Sequence, residues 1–255
     1  MDKMPNISSI TQTLTSEIEN RLQELESNNF VHIEMQITPP EQDSLDRIRI
    51  EHEVEAFDSY GPVGDDLKER IVQHLGSVGQ NDVADIEHVA NIINRLAMGV
   101  QKGFAKEAVW IAVRVSLPNS TFDIPRWHPD GAYFTSEPGE KTYKFVAALQ
   151  GAPTLFGRIR DEEVYRQLET ISRENQLKNQ GNPEALEAEE SRIRRELVKV
   201  IEPLTESRPT QATIYLVGHE EAVIHSEPPI HEPRIFVSVL PGSREQIDEW
   251  SRGSE

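Results

Sequence analysis

The chain has 255 residues, no cysteine and a formal charge of -18. The length allows one domain with insertions or two small ones, and the missing cysteines exclude disulfides, thiolate metal sites and a cysteine nucleophile. With 44 acidic against 26 basic residues and no apolar run near the roughly 18 residues of a membrane span, neither nucleic acid nor a membrane is an expected partner.

Ile7, Ile10, Leu14, Ile18, Leu22 and Leu25 recur at helical spacing, with Ser8 or Ser9 available as a cap. Residues 31–37 alternate apolar and polar as a half-buried strand does, Pro39-Pro40 reads as a break, and the alternation of Ile48, Ile50, His52, Val54 and Ala56 predicts the returning strand of a long hairpin. After the turn Gly61-Pro-Val-Gly64, Asp65 or Asp66 is placed to cap a short helix to about Leu75. A stronger helix is expected over 82–100, with the stripe Val83, Ile86, Ala90, Ile93, Ala97 and Val100. His88 at the edge of that stripe reads as packing or surface and not as a ligand.

The central block reads as β: strands at 109–115, 144–149 and from 154, with a loop at 118–125 between the first two. Residues 161–200 are helical and highly charged, and Asn179 to Pro183 divides them into two helices, a hairpin inserted between strands as a lid or a surface packing arm. Its basic run Arg192, Arg194 and Arg195 sits among glutamates and reads as a solvated face. Three short strands follow, at 212–217, 222–225 and 234–239. Short strands split by Gly and Pro turns, without regular alternation with helices, indicate an α+β chain built on a jelly roll (a double-stranded β-helix) with N-terminal helices and a helical hairpin insertion. The expected division is 1–106, helices and a β-hairpin packing on the core, and 107–255, a metal-binding jelly roll interrupted by an insert at about 161–200.

Two segments carry candidate chemistry. In Arg126-Trp-His-Pro-Asp-Gly131, His128 and Asp130 are two apart, so on an extended strand both point to one face and can take adjacent positions on one metal ion. His225 ends a second apolar strand, and Arg234 opens the next. Two imidazoles and one carboxylate leave three coordination positions free, which suits Fe(II) with a chelating cosubstrate and O₂. His219 and His231 compete with His225 as third ligand; the apolar run Ala222-Val-Ile before His225 favours it. Trp127, Tyr133 and Phe134 read as core packing. His-Pro-Asp is also the loop tripeptide of the J-domain co-chaperones, but there it lies between helices.

From about 109 to 240, with the insert excepted, the chain resembles the iron- and 2-oxoglutarate-dependent oxygenases, whose jelly roll carries H-x-D, a distal His and a basic residue on the strand after it. The resemblance implies His128, Asp130 and His225 as iron ligands, and Arg234 as the partner of the far carboxylate of 2-oxoglutarate. The planar fork of an arginine suits that task. The family often has Arg-x-Ser; here Phe236 takes the second position and Ser238 follows two later, so Ser238 and Lys144 stand beside Arg234 as cosubstrate contacts. The implied activity is oxidation of a C–H bond in an unidentified substrate, a small molecule or a protein. The alternatives are a cupin-like metalloenzyme that does not use 2-oxoglutarate, which a further His ligand would favour, and a non-enzymatic interaction protein on an inactive jelly roll. No secretory signal is read in Met1 to Ser9, and the lack of cysteine fits a reducing compartment, so a cytoplasmic location is expected.

Overall fold

The computed structural model describes residues 7–135, 140–204, 210–218 and 221–253. Its elements in chain order are α1 (Ile7–Asn28), β1 (Phe30–Glu34), α2 (Pro39–Arg47), β2 (Phe57–Gly61), α3 (Asp65–Gly76), α4 (Val83–Gly103), β3 (Ala108–Ser116), β4 (Thr142–Gln150), β5 (Leu155–Ile159), α5 (Glu162–Lys178), α6 (Pro183–Val200), β6 (Ile201–Pro203), β7 (Gln211–Val217), β8 (Ile224–Ser226), β9 (Arg234–Gly242) and α7 (Arg244–Gly253).

The strands form two antiparallel sheets. The larger runs β1-β7-β4-β9-β3-β2 and the smaller β6-β5-β8, with a single bridge at His128 continuing the smaller sheet beyond β8. From β3 onward the chain passes repeatedly between the sheets: β3 and β4 lie in the large one, β5 and β6 in the small one, then β7 large, β8 small and β9 large. That crossing pattern is a jelly roll.

Alternation along each strand divides the large sheet's residues between two environments. One face presents Ile111 and Val113 of β3, Val237 and Val239 of β9, and Phe145 of β4, all buried in one core with α1 and α4. Close approach of these helices depends on two glycines one turn apart on α4. A Cβ at Gly99 would lie 2.5 Å from Leu14 Cδ2, and one at Gly103 would lie 2.7 Å from Ile18 Cγ2, so side chains there would push α1 away from the sheet. The opposite face carries the polar residues described below.

The expected hairpin over 31–37 and 48–56 does not form. β1 pairs with β7, Phe30 opposite Tyr215, and the later stretch is no strand, the neighbouring strand being β2 at Phe57–Gly61. Pro39 and Pro40 start a helix here, occupying its first two positions after the N-cap Thr38, where a missing N–H costs nothing. The alternation at Ile48 and Ile50 reflects burial alone: both are in the core, while Glu51 N and His52 N donate to Val78 O instead of to a neighbouring strand. Three smaller expectations also shift. Ser8 and Ser9 fall inside α1, Gly64 is the N-cap of α3, and Val83 lies on the exposed side of α4. His88 packs as expected, its Nδ1 2.8 Å from Ser44 Oγ. Asp82 caps α4, accepting from Ala84 N.

The α5–α6 hairpin is an insertion between β5 and β6, which pair directly at its base, Ile159 opposite Ile201. It is a packing arm. Tyr165, Leu168, Ile193 and Leu197 are buried against Trp127 and Ile224, so the hairpin buttresses the small sheet next to His128 and His225. Among the described residues no helix is long and apolar enough to cross a membrane.

Candidate metal centre

His128 and His225 meet across an isolated antiparallel bridge. His128 N donates to His225 O, and His225 N donates to His128 O, both at 3.0 Å. The segment around His128 is held at two further points. Arg126 N donates to Ser226 Oγ at 2.8 Å, and Gly218 N donates to Asp130 O at 3.1 Å. Gly218 has φ +65°, and a Cβ on it would stand 2.7 Å from Ala132 Cα; this turn therefore needs glycine both for its backbone and for space.

The donor atoms of His128, Asp130 and His225 all lie within 4.8 Å of one another, the only such His, Asp or Glu group among the described residues. The ring of His128 places Nδ1 2.7 Å from Arg126 O, and that of His225 places Nδ1 3.2 Å from Val223 O. Each Nδ1 thus carries the proton and each Nε2 keeps its lone pair. His225 Nε2 stands 3.7 Å from Asp130 Oδ2. Burial pushes His225 down to about 4, against the pull of the Asp130 carboxylate, so its ring is neutral at neutral pH.

Asp130 is held by residues from two neighbouring strands. Tyr215 of β7 donates to Oδ2 at 2.7 Å, and Lys144 of β4 donates to the same oxygen at 3.0 Å; Tyr215 and Lys144 stand directly opposite in the sheet. Burial works against ionisation of Asp130, but the Lys144 ammonium, His225 and the Tyr215 hydrogen bond hold its carboxyl well below the usual range. Lys144 also donates to Tyr133 Oη at 2.8 Å. Burial lowers the pKa of Lys144, with Asp130 opposing.

These residues line a cavity of about 330 Å³ together with Arg234, Phe236 and Ser238 of β9. Arg234 is 5% exposed. Its Nε donates to Ala152 O at 2.8 Å, its guanidinium lies 4.5 Å from the centre of the Phe236 ring, and Nη2 is buried without a hydrogen-bond partner. Burial lowers it to about 10, with Glu227 pulling the other way. Glu227 is engaged elsewhere, by Arg126 at 2.8 Å.

All six residues singled out in the sequence, His128, Asp130, Lys144, His225, Arg234 and Ser238, therefore face one cavity. His231 is exposed, and His219 lies outside the described residues. Trp127 and Phe134 are buried in packing clusters, while Tyr133 lines the cavity. Tyr215 was not legible as a site residue, because it sits within the apolar run Ala212–Val217. The available signal was chemical: a tyrosine in a fully buried strand requires a partner for its hydroxyl.

No family model matches the chain, and no curated protein does. Among solved structures, the chain is similar to a rice dioxygenase for auxin oxidation (8% identity, 89% of this chain and 78% of that one, TM-score 0.44). It is also similar to the Fe(II)/α-ketoglutarate-dependent dioxygenase TqaL (10%, 92% and 89%, 0.41) and to a Pseudomonas putida prolyl-4-hydroxylase (12%, 89% and 94%, 0.39). At these identities and scores the likeness assigns no residue a role, and the function proposed next rests on the chain's own side chains.

Proposed function

We propose that this protein is an oxygenase dependent on ferrous iron and 2-oxoglutarate. His128, Asp130 and His225 would hold the metal, and Arg234 would hold the far carboxylate of the cosubstrate. The observation that carries the reading is the pairing, in one cavity, of a two-imidazole, one-carboxylate donor set with a buried guanidinium whose Nη2 has no partner. Two imidazole Nε2 atoms and a carboxylate fit a divalent iron and leave positions free for other ligands. A buried guanidinium with an unused donor fits a carboxylate, because an uncompensated buried charge is strongly unfavourable. The same feature favours this reading over a cupin-like site that has no such cosubstrate.

When bound, ferrous iron would activate O₂, the oxidant, whose two oxygen atoms go to 2-oxoglutarate, giving succinate and CO₂, and to the oxidation of the substrate C–H bond. The chain's own residues do the rest. Arg126 O and Val223 O fix the two imidazoles in the tautomer that presents Nε2. Tyr215 and Lys144 both donate to Oδ2 of Asp130, which orients the carboxylate and keeps it ionised. Arg234 and Ser238, on one face of β9, would orient the cosubstrate, with Lys144 across the cavity. The substrate binds in the remaining space. Anaerobic titration tests the reading: 2-oxoglutarate should bind the iron-loaded protein once per chain, and a failure to bind while iron is held would overturn it.

A further inference from the structure

The cavity has the opposite sign to the chain. The protein carries -18 overall, yet the cavity wall holds Arg114, Arg126, Lys144 and Arg234 against only two carboxylates, Asp130 and Glu227. Lys144 pairs with Asp130 at 3.0 Å and Arg126 with Glu227 at 2.8 Å. Arg234 is assigned above to the cosubstrate. Arg114 remains, and no carboxylate of the described residues pairs with it.

The sheet fixes where Arg114 points. It stands directly opposite Phe236, and Ser116 stands opposite Arg234. Opposed residues in an antiparallel pair share a face, so Arg114 and Arg234 are diagonal neighbours on the cavity side, about 7–8 Å apart along the sheet. Burial comes first in weakening the basicity of Arg234, and the field of Arg114 adds to it. Loading the site does not relieve this crowding of cations. The two positive charges of the metal and the two negative charges of 2-oxoglutarate cancel, and the wall's excess positive charge survives.

Aromatic rings make up much of the remaining wall, beside the hydroxyls of Ser116, Thr154 and Ser238. Trp110 lies on the same face of β3 as Arg114, Phe236 lies between Arg114 and Arg234, and Phe122 closes the wall from the loop after β3. Trp110 is held from the neighbouring strand β2, its Nε1 donating to Asp58 Oδ1 at 2.7 Å. At about 330 Å³ the cavity is at the small end for ligand sites, and the cosubstrate takes part of it.

We infer that the substrate is a small organic acid with an aromatic body, its anionic group held by Arg114 and its ring against Trp110, Phe122 and Phe236. This deepens the oxygenase reading and rests on it. An acid gains a charge-assisted contact with the half-open Arg114 guanidinium that a neutral substrate lacks, and a polymer segment would have little room.

The test uses the full chain loaded with Fe(II) and 2-oxoglutarate without O₂, and two pairs of probes: benzoate with benzamide, and hydrocinnamate with its amide. Each pair keeps the ring and differs in charge. Calorimetry should show at least one acid binding about tenfold more tightly than its amide, as expected for one charge-assisted contact. Arg114→Gln should erase that preference and Arg114→Lys should retain part of it, with 2-oxoglutarate still binding both variants; the exposed position makes misfolding from either change an unsuitable explanation. Equal binding of acid and amide, an unchanged preference in Arg114→Gln, or no binding by any probe to protein that has taken up 2-oxoglutarate would each overturn the inference. Protein that does not take up 2-oxoglutarate at all would instead overturn the oxygenase reading beneath it.

Discussion

His128 and His225 exchange both backbone hydrogen bonds, at 3.0 Å each, and their rings lie 4.6 Å apart centre to centre. The bridge is isolated, so it is not part of a longer ladder. Its residues are instead fixed by Ser226 at Arg126 and by Gly218 at Asp130. Side chains from two distant segments, His128 and Asp130 on one and His225 on the other, are thereby placed together without any ion.

From this follows the first expectation, one Fe(II) bound per chain, lost in His128→Ala and in Asp130→Ala. A three-donor site that loses one donor retains little of its affinity, since binding relies on all three together. Metal analysis after dialysis reads this directly, and unchanged stoichiometry in both variants would exclude the site.

Tyr215 provides a subtler check. Its hydroxyl donates to Asp130 Oδ2 at 2.7 Å from a fully buried position. Tyr215→Phe keeps the ring and removes that hydrogen bond. Loss of a supporting contact of this kind lowers metal affinity by roughly 10–100-fold, and competitive chelator titration should show a fall of that order with the unfolding transition still cooperative. Parent-like affinity would mean that Lys144 alone orients the carboxylate.

Acid stability depends on a different pair. Arg95, 2% exposed, donates to Glu41 Oε2 at 3.1 Å, and Glu41 also accepts from Thr38 N at 2.9 Å at the start of α2. Burial raises the Glu41 pKa, but Arg95 and Thr38 outweigh it and bring the folded value below the ordinary 4.5. A depressed carboxyl stabilises the fold above its unfolded value, and that contribution is lost as pH falls through the folded value. Glu41→Gln should therefore cost about 3–5 kcal/mol at neutral pH, because it leaves Arg95 buried without its counter-charge. The difference from the parent should narrow below about pH 4.5. Denaturant unfolding at several pH values measures both effects; a constant difference across the range would contradict the assignment.

The inserted hairpin should prove structural. Removing α5 and α6 and joining β5 to β6 by a short turn would uncover Trp127 and Ile224, which flank the two histidines in sequence. Long insertions cost little in loop entropy, so the effect should come from lost packing. The single change Leu197→Ala should cost about 2–5 kcal/mol, the range for buried leucines, and the hairpin deletion more, with metal affinity falling alongside. A deletion variant as stable as the parent would show that the hairpin lies on the surface without supporting the site.

Much of this was legible in the sequence because it depends on parity and spacing. His128 and Asp130 point into one cavity from an extended segment by their separation of two, and Arg234, Phe236 and Ser238 do so along β9 for the same reason. The helix of α4 followed from its apolar period. What could not be read depends on partners far away in the chain. β1 pairs with β7, nearly the whole jelly roll later, and nothing local to residues 30–34 specifies that. The stretch at 48–56 alternates like a strand because Ile48 and Ile50 enter the core, but periodicity reports burial and not hydrogen bonding. Pro39-Pro40 looked like a break because proline stops a helix from inside and starts one from the first turn; the two cases differ only by the cap at Thr38. α7 was missed because Arg244–Gly253 shows few apolar residues, and it is Ile247 that docks it. The tie of Asp130 to Tyr215 and Lys144 required the strand order itself.

The central claim is that one cavity joins a metal to 2-oxoglutarate, and Arg234 separates that claim from other metal sites. The direct measurement is an anaerobic titration of the iron-loaded protein with 2-oxoglutarate, followed by calorimetry, for the parent and for Arg234→Ala. The parent should bind once per chain. The variant should bind more weakly by about 2–5 kcal/mol, the range for breaking a buried hydrogen-bonded charge pair, with its iron content unchanged because Arg234 is not among the donor atoms. Iron-loaded parent protein that shows no binding, or a variant that binds as tightly as the parent, would contradict it.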